Sequence, residues 1–479
     1  MHSRRLLLPS LLALGLGGCA VGPNYHRPDT QAPAALRGQP AAASPSLADA
    51  AWWDLYQDPV LTGLVRTALA DGFDGRIATA RLEQARAIEH EVRGQLFPAV
   101  GYQADADRGR NSTLGRPNPA GTGTVGEAFD GYLSAGWEFD LWGRVRRLDE
   151  AARDRYLASA EARRGVELSL VAGVATDYFG LLELDEELAI SRQAADSLGQ
   201  TLRLFNRRLQ GGIASRLETS SAQAAQAAAA ARIPEIEREI ALLENSLSVL
   251  LGHAPGDIAR GAPLAGRTVA PGVPAGLPSA LLERRPDVRA AEYAAAAANA
   301  QVGVTIGSFL PRIGLSAILG GVSQHLQQVT SGRAALWSVG AQVTGPVFAA
   351  GALRGEYVQA KQAWEEAKLE YQQAALSAFA DAADALVTHQ KLAEVRAQEE
   401  IEVRSYQEAA AVADQRYRAG QIGYFELLQT QQQLYPAESV LAQTRRDELI
   451  SVVQLYKALG GGWNLKDPSD WIGAGGPTR

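Results

Sequence analysis

Apolar and polar positions follow two spacings along this chain, and the change from one to the other marks its elements. Over most of the length apolar residues return every three or four positions, as on a helix with one buried stripe. Val171, Val174, Tyr178, Leu181 and Leu188 have coiled-coil-like spacing. They lie in a run that opens at Gly143 and meets no proline or glycine cluster before Gly211-Gly212. That run predicts a helix of about 67 residues, roughly 100 Å long at about 1.5 Å per residue. A return helix is predicted from about Arg216 to Leu251, with Pro234 expected to bend it. A shorter helix is predicted to begin near Asp58-Pro59, with Leu61, Leu64, Val65 and Leu69 on one face. Another runs from about Phe73 to Leu96 and stops at Phe97-Pro98.

In four windows the period falls to two, which predicts strands. The first, about 99–108, carries Val100, Tyr102, Ala104 and Ala106; the second, about 131–140, carries Leu133, Ala135, Trp137 and Phe139. The third, about 312–321, carries Ile313, Leu315, Ala317 and Leu319; the fourth, about 336–345, carries Trp337, Val339, Ala341 and Val343. A Gly/Asn/Pro-rich loop is expected from about Gly109 to Gly126.

The pattern occurs twice. Gly143, Gly212 and Gly252 recur as Gly351, Gly420 and Gly460, each 208 positions later, and Arg208, Glu218 and Leu251 recur as Arg416, Glu426 and Leu459. The hairpin 143–252 is thus duplicated as 351–460, and Asp74 to Pro98 matches Asp287 to Pro311. The expected organisation is a signal peptide (1–18), an anchor and N-terminal wrap (19–58) and a first structural repeat (59–252). A Pro/Gly-rich linker (253–285), a second repeat (286–460) and a tail (461–479) follow. Duplicated long helices build a structure, because each copy needs a neighbour to cover its apolar stripe.

Composition narrows the class. The chain is 46% hydrophobic and 21% charged but only 7% aromatic, which suits helices packed through small side chains. A formal charge of −7, with no basic stripe, argues against nucleic acid as a partner. Arg4 and Arg5 precede a short apolar run, Leu6 to Leu16, typical of a secretory signal. The run ends in Leu16-Gly17-Gly18-Cys19, a lipobox pattern in which Cys19, the sole cysteine, would carry covalent lipid. The six histidines are scattered without metal-ligand spacing, and no phosphate loop, nucleophile elbow or dinucleotide fingerprint occurs. No catalytic residue, metal or cofactor is expected, apart from that lipid.

Four strands cannot close a membrane barrel, which needs about eight. In lipid each unpaired backbone group at an open edge costs several kcal/mol. Strands placed in a membrane must therefore share one barrel with other copies. Tyr102, Tyr132, Trp137, Phe139, Trp142, Phe309 and Trp337 flank them as candidates for an interfacial belt. A soluble antiparallel sheet with aromatic packing is the plainer alternative.

Several motifs occur in order: Cys19-Ala20-Val21-Gly22-Pro23-Asn24-Tyr25, Trp52-Trp53, Asp58-Pro59 and Phe97-Pro98. Phe139-Asp140-Leu141-Trp142-Gly143-Arg144, Arg284-Arg285-Pro286-Asp287 and Phe309-Leu310-Pro311 follow. In these the chain resembles the outer-membrane factor family, the TolC-like efflux channels, and specifically their lipoprotein branch. The resemblance implies a mainly α fold with a membrane β part. It implies a homotrimer whose protomers each give four strands to a 12-stranded barrel, continued by a long helical periplasmic barrel. The wrap, linker and tail would form an equatorial belt. The channel would sit in the outer membrane of a Gram-negative bacterium, anchored at Cys19. Ala20 after the cysteine, in place of Asp, points the same way. Its partners would be a periplasmic adaptor and an inner-membrane pump, commonly of the resistance-nodulation-division type.

The resemblance also places a closed aperture at the two hairpin turns. Gly211, Gly212, Ser215, Gly420 and Gly423 are the turn and adaptor-docking candidates, with glycines suited to helix ends. Matching the family's acidic constriction gives Glu426 and Gln429, the second departing from the acidic pattern, and Glu218 is the first-repeat counterpart of Glu426. Tyr417 matches a tyrosine that ties neighbouring coils, and Arg416 and Arg418 are expected to pair with these carboxylates. A type I protein-secretion duct and a periplasmic coiled-coil structural lipoprotein remain alternative functions.

Overall fold

A computed structural model of the chain describes residues 20–37, 56–110, 125–213, 215–267 and 278–461. Cys19, Trp52-Trp53 and nearly all of the tail lie outside the described residues. The first repeat contains α1 (Pro59–Asp71), α2 (Phe73–Gly94), β1 (Ala99–Arg110), β2 (Val125–Phe139), α3 (Arg144–Gln210) and α4 (Arg216–Leu250). After the linker come α5 (Pro278–Arg284), α6 (Pro286–Gly307), β3 (Arg312–Ser323), β4 (Ala335–Thr344), α7 (Ala352–Arg418) and α8 (Tyr424–Ala458).

The two hairpins keep the same lengths. α3 and α7 each have 67 residues, α4 and α8 each 35. Their ends are set by glycines at positive φ: Gly143 and Gly351 before the outgoing helices, Gly212 and Gly420 at the turns, Gly252 and Gly460 after the return helices. At each turn the backbone closes by paired 6→1 and 5→2 bonds, Ile213 N–H to Arg208 O and Gly212 N–H to Leu209 O in the first. Gln421 N–H to Arg416 O and Gly420 N–H to Tyr417 O repeat them in the second. Pro234 and Pro436 sit inside α4 and α8, and both helices continue through them.

The strands form one antiparallel sheet in the order β1-β2-β3-β4, leaving β1 and β4 as edges. β2 begins at Val125 rather than near 131, because Val125 to Asp130 pair with Arg110 to Asp105. Glycines at 109 and 126, with Asp107, Arg108, Arg110 and Glu127 around them, hide that ribbon from an apolar-alternation reading. β1 continues to Arg110, β3 to Ser323, and β4 lies one position earlier than expected.

The chain divides into two compact units that cut across both repeats. One holds the described residues before Thr30 with Arg81–Ala160 and Ala290–Gln372; the other holds Thr30–Ala80, Glu161–Arg289 and Gln373 onward. In the first, Gly22 at φ +101 lets the chain pass so close to Gly303 that a Cβ would lie 2.5 Å from its Cα. Arg147 holds that passage, donating to the Val21 carbonyl and, at 2.7 Å, to Asn24 Oδ1. Asn299 donates to the Pro23 carbonyl at 3.0 Å. The Gly22-Pro23-Asn24 motif is thus a docking sequence for the N-terminal strap.

In the second unit Val171, Val174, Tyr178, Phe179 and Leu181 are buried. That burial accounts for the one helix among the described residues, α3, that is long and apolar enough to cross a membrane. Asp58 caps α1, accepting from the Val60 and Leu61 N–H groups. Its carboxylate also accepts from Tyr178 Oη and from Arg267, both at 2.6 Å, which ties the linker to the helices. Burial alone would raise its pKa, but the Tyr178, Arg267 and Leu61 hydrogen bonds prevail and hold it below its ordinary value. Buried carboxylates elsewhere are matched by arginines: Glu183 by Arg446 at 3.2 Å, Glu448 by Arg396 at 3.0 Å, Glu187 by Arg232 at 2.8 Å. At Glu183 burial outweighs Arg446 and pushes the carboxyl up to about 7.

Candidate functional site

The two hairpin turns are held together by aromatic packing. Phe205 of α3 and Tyr424 of α8 are 1% and 2% exposed, with ring centroids 4.5 Å apart in an edge-to-face contact. Leu198, Ala222 and Leu428 complete the buried cluster, and Tyr417 packs against its border. Burial pushes the Tyr424 phenol up to about 12. Arg208 Nη1 donates to Tyr417 Oη at 3.0 Å, and its guanidinium lies 5.8 Å from the centre of that ring. The outgoing helices of the two repeats are therefore joined at their ends by one charged hydrogen bond and one aromatic knot.

Sequence reasoning found Tyr417 but missed Arg208, Phe205 and Tyr424 as its companions. In the sequence Arg208 stands out only as an anchor of the duplication. Nothing in the local spacing joins positions 208 and 417; the signal lies in the fold.

The expected pairing of Arg416 and Arg418 with Glu218 and Glu426 is not what the subunit contains. Arg418 pairs with Asp414 one turn back, at 2.8 Å. Glu218 is taken up in a capping box: Ser215 Oγ accepts from the Glu218 N–H at 3.2 Å, and Glu218 Oε2 accepts from the Ser215 N–H at 2.8 Å. Serine followed three positions later by glutamate was the readable signal for it. Arg416, Glu426 and Gln429 are exposed, and among the described residues neither Arg416 nor Glu426 has an ionic partner within the subunit. Gly211, Gly212, Gly420 and Gly423 are exposed at the turns.

The sheet has two unlike faces. The register places Tyr102, Leu133, Leu319 and Trp337 in one rung of the same face. Ala135, Ala317 and Val339 form the next, then Trp137, Leu315 and Ala341, then Phe139, Ile313 and Val343. Tyr102 is 86% exposed and Trp337 76%, so in one subunit this apolar face is bare. The other face carries Gln103, Asp105, Ser134, Ser316, Ser338 and Gln342. Tyr132 falls on that polar face, opposite Gln103 and Gly320, because a shift of one residue reverses a strand side chain. It is separated there from the other belt candidates. Trp142 and Phe309 lie outside the strands, where Trp142 Nε1 donates to the Pro311 carbonyl at 2.8 Å. Trp137 Nε1 donates to the Leu96 carbonyl at 2.9 Å, and its ring meets Phe139 edge-on. Phe129, which the expected strand limits left out, closes the far end of the apolar face.

Along β2 the outward positions from Phe129 to Phe139 span about 33 Å of strand. With a tilt of about 40° that is roughly a 25 Å apolar band, the height of the lipid-facing zone of a membrane barrel. Unpaired edges on both sides mean the band cannot stand in hydrocarbon as a single copy.

Comparison with known proteins agrees with this geometry. The family model for outer membrane efflux proteins matches residues 64–253 and 277–461, one match for each repeat. The toluene efflux pump outer membrane protein TtgC of Pseudomonas putida is 34% identical over 472 residues, covering 96% of each chain. The outer-membrane channel OprN superposes with a TM-score of 0.84 at 31% identity, over 93% of this chain and all of that one. The open state of the Neisseria gonorrhoeae MtrE outer membrane channel gives a TM-score of 0.84 at 28% identity, over 93% of this chain and 98% of that one.

Proposed function

The chain belongs to the outer membrane efflux protein family, and we propose that it is the passive exit duct of a tripartite pump for small molecules. It is an outer-membrane channel subunit and not an enzyme. Three copies, each joining its β1 to the β4 of a neighbour, close the sheet into a barrel and satisfy both edges. The observation that carries the reading is that sheet: an apolar face of membrane height, a polar face, and two edges that only further copies can pair.

The finer parts of the reading rest on chemistry within the chain. Cys19 carries lipid and holds the strap that begins at Ala20 against the membrane surface. The turns at Gly211, Gly212, Ser215, Gly420 and Gly423 receive a periplasmic adaptor, which links the duct to a proton-driven pump of the resistance-nodulation-division type. Tyr417, tied by Arg208, holds the periplasmic end narrow, and Glu426 faces the opening with a carboxylate that no described residue of its own subunit neutralises. A releasable closed state needs only a few such modest links in each copy.

Bilayer conductance of the purified trimer, together with the toxic-compound susceptibility of a deletion strain, tests the proposal. Conductance with hypersensitivity to small toxicants is the expected result. A conducting trimer whose loss abolishes export of a polypeptide and leaves susceptibility unchanged would favour a protein-secretion duct. No conductance in any bilayer would end the channel reading.

A further inference from the structure

Pairing between β2 and β3 stops at Phe129↔Ser323, whereas β1 and β2 stay paired through Arg110↔Val125. A two-stranded ribbon therefore projects beyond the apolar band, at the end of the sheet away from the junction with α3. Both of its arginines stand on one face, with Glu127 opposite Arg108 on that same face. Arg108 and Arg110 continue the outward row of Tyr102, Ala104 and Ala106, while Asp105, Asp107 and Asp130 lie on the opposite, polar face. Arg108 stands two residues and Arg110 four residues past the last apolar rung, about 7 and about 13 Å along the strand. The headgroup layer is roughly 5–8 Å thick on each side of the hydrocarbon, so tilted strands carry both guanidiniums into or just past it.

We propose that this outward arginine row binds the phosphorylated headgroups of the outer-leaflet lipid. The inference rests on the reading that the sheet spans the outer membrane. Guanidinium and phosphate match in charge and in their paired hydrogen-bonding geometry. Arg108 already has a partial internal partner, Glu127, at 3.4 Å, and its side chain remains 75% exposed. Arg110 is exposed and has no ionic partner among the described residues. Glu127 is thus a competitor for the lipid, and Arg110 the more available contact. Three copies of the ribbon set these arginines in a ring around the barrel at one height.

The test uses the lipidated trimer in nanodiscs, with bisphosphorylated lipid A or its dephosphorylated form as the probe and native mass spectrometry as the readout. Retention of the phosphorylated lipid should fall about five-fold for each arginine lost, in Arg110→Gln and in the Arg108→Gln/Arg110→Gln double variant. The dephosphorylated lipid should be held equally by all forms. Glu127→Gln should increase retention of the phosphorylated lipid, and lysine at both arginine positions should restore most of it. Equal retention of both lipids by the unsubstituted trimer, or unchanged retention in Arg110→Gln, overturns the proposal. Among the described residues Arg110 has no ionic partner to lose, and the strand backbone pairing does not depend on its side chain. The conductance of Arg110→Gln should match that of the unsubstituted channel, so failure of the lipid contact and failure of the channel reading are separate results.

Discussion

The two hairpin turns share a backbone and differ in what their side chains do with it. Gly212 and Gly420 adopt the same left-handed conformation, at φ 73° and 70°, and each closes its helix with the same pair of carbonyl bonds. Beyond that point the copies part. The first turn ends in Ser215, whose hydroxyl and backbone lock Glu218 into a capping box. The second ends in Gly423, which has no side chain to offer, so Glu426, the counterpart of Glu218, remains exposed. The arginines diverge in parallel: Arg208 is engaged with Tyr417, while its counterpart Arg416 has no ionic partner among the described residues of the subunit. Duplication preserved the positions where only glycine fits and let the charged positions change role. One turn became a fixed stop; the other keeps a carboxylate and a guanidinium available to neighbouring copies or an arriving partner.

The strongest way to break this contrast is to remove what joins the turns. Phe205→Ala should cost about 3–5 kcal/mol locally, since it empties a fully buried site against Tyr424. Hydrogen exchange should then accelerate in both turns together, over 202–212 and 417–428. Loosening of the first turn alone would show that the knot does not join them. Closed-state conductance should rise as well.

The arginine pair gives the next largest effect. A hydrogen bond from a charged donor contributes about 1.5–3 kcal/mol. Arg208→Gln should therefore shorten the closed-state lifetime in single-channel records, and Tyr417→Phe should do the same. Arg416→Gln removes no ion pair among the described residues and should stay within about 0.5 kcal/mol for subunit stability. Equal closed-state effects of Arg208→Gln and Arg416→Gln would mean that contacts between copies, not the Arg208–Tyr417 link, decide closure.

Much of this architecture is legible in the sequence. Helix lengths followed from the distance between glycines, because a left-handed residue ends a helix wherever it stands, and the period-two windows marked all four strands. What stayed hidden was of two kinds. The β1–β2 ribbon beyond Phe129 sets Asp107, Arg108, Gly109 and Arg110 against Ala128, Glu127, Gly126 and Val125, and pairs through its backbone without the sustained apolar alternation that announces a strand. Partners distant in sequence were also invisible: Arg208 with Tyr417, Asp58 with Arg267, Glu183 with Arg446. The pairing assigned to Arg418 failed for a simple reason. Asp414 lies one helical turn away on the same face and needs no tertiary contact to reach it. Tyr132 failed through parity alone.

The smallest effect isolates the turn chemistry itself. Ser215→Ala removes the capping hydroxyl and should cost about 1 kcal/mol of helix stability, read as faster exchange at the start of α4. The reverse change, Gly423→Ser, should add only a few tenths of a kcal/mol, since glycine is itself a tolerable cap. The backbone at Gly423, φ −80° and ψ 161°, already suits serine, and Glu426 stands at the position that completes a capping box. The consequence for the pore should exceed that small stabilisation, because the new serine would draw the Glu426 carboxylate back onto its own backbone. Gly423→Ser should then reproduce in part whatever Glu426→Gln does to cation passage through the closed channel. If Glu426→Gln alters cation passage and Gly423→Ser does not, the carboxylate acts from where it stands and the missing cap is incidental. If neither variant changes it, the two turns differ in chemistry without differing in role.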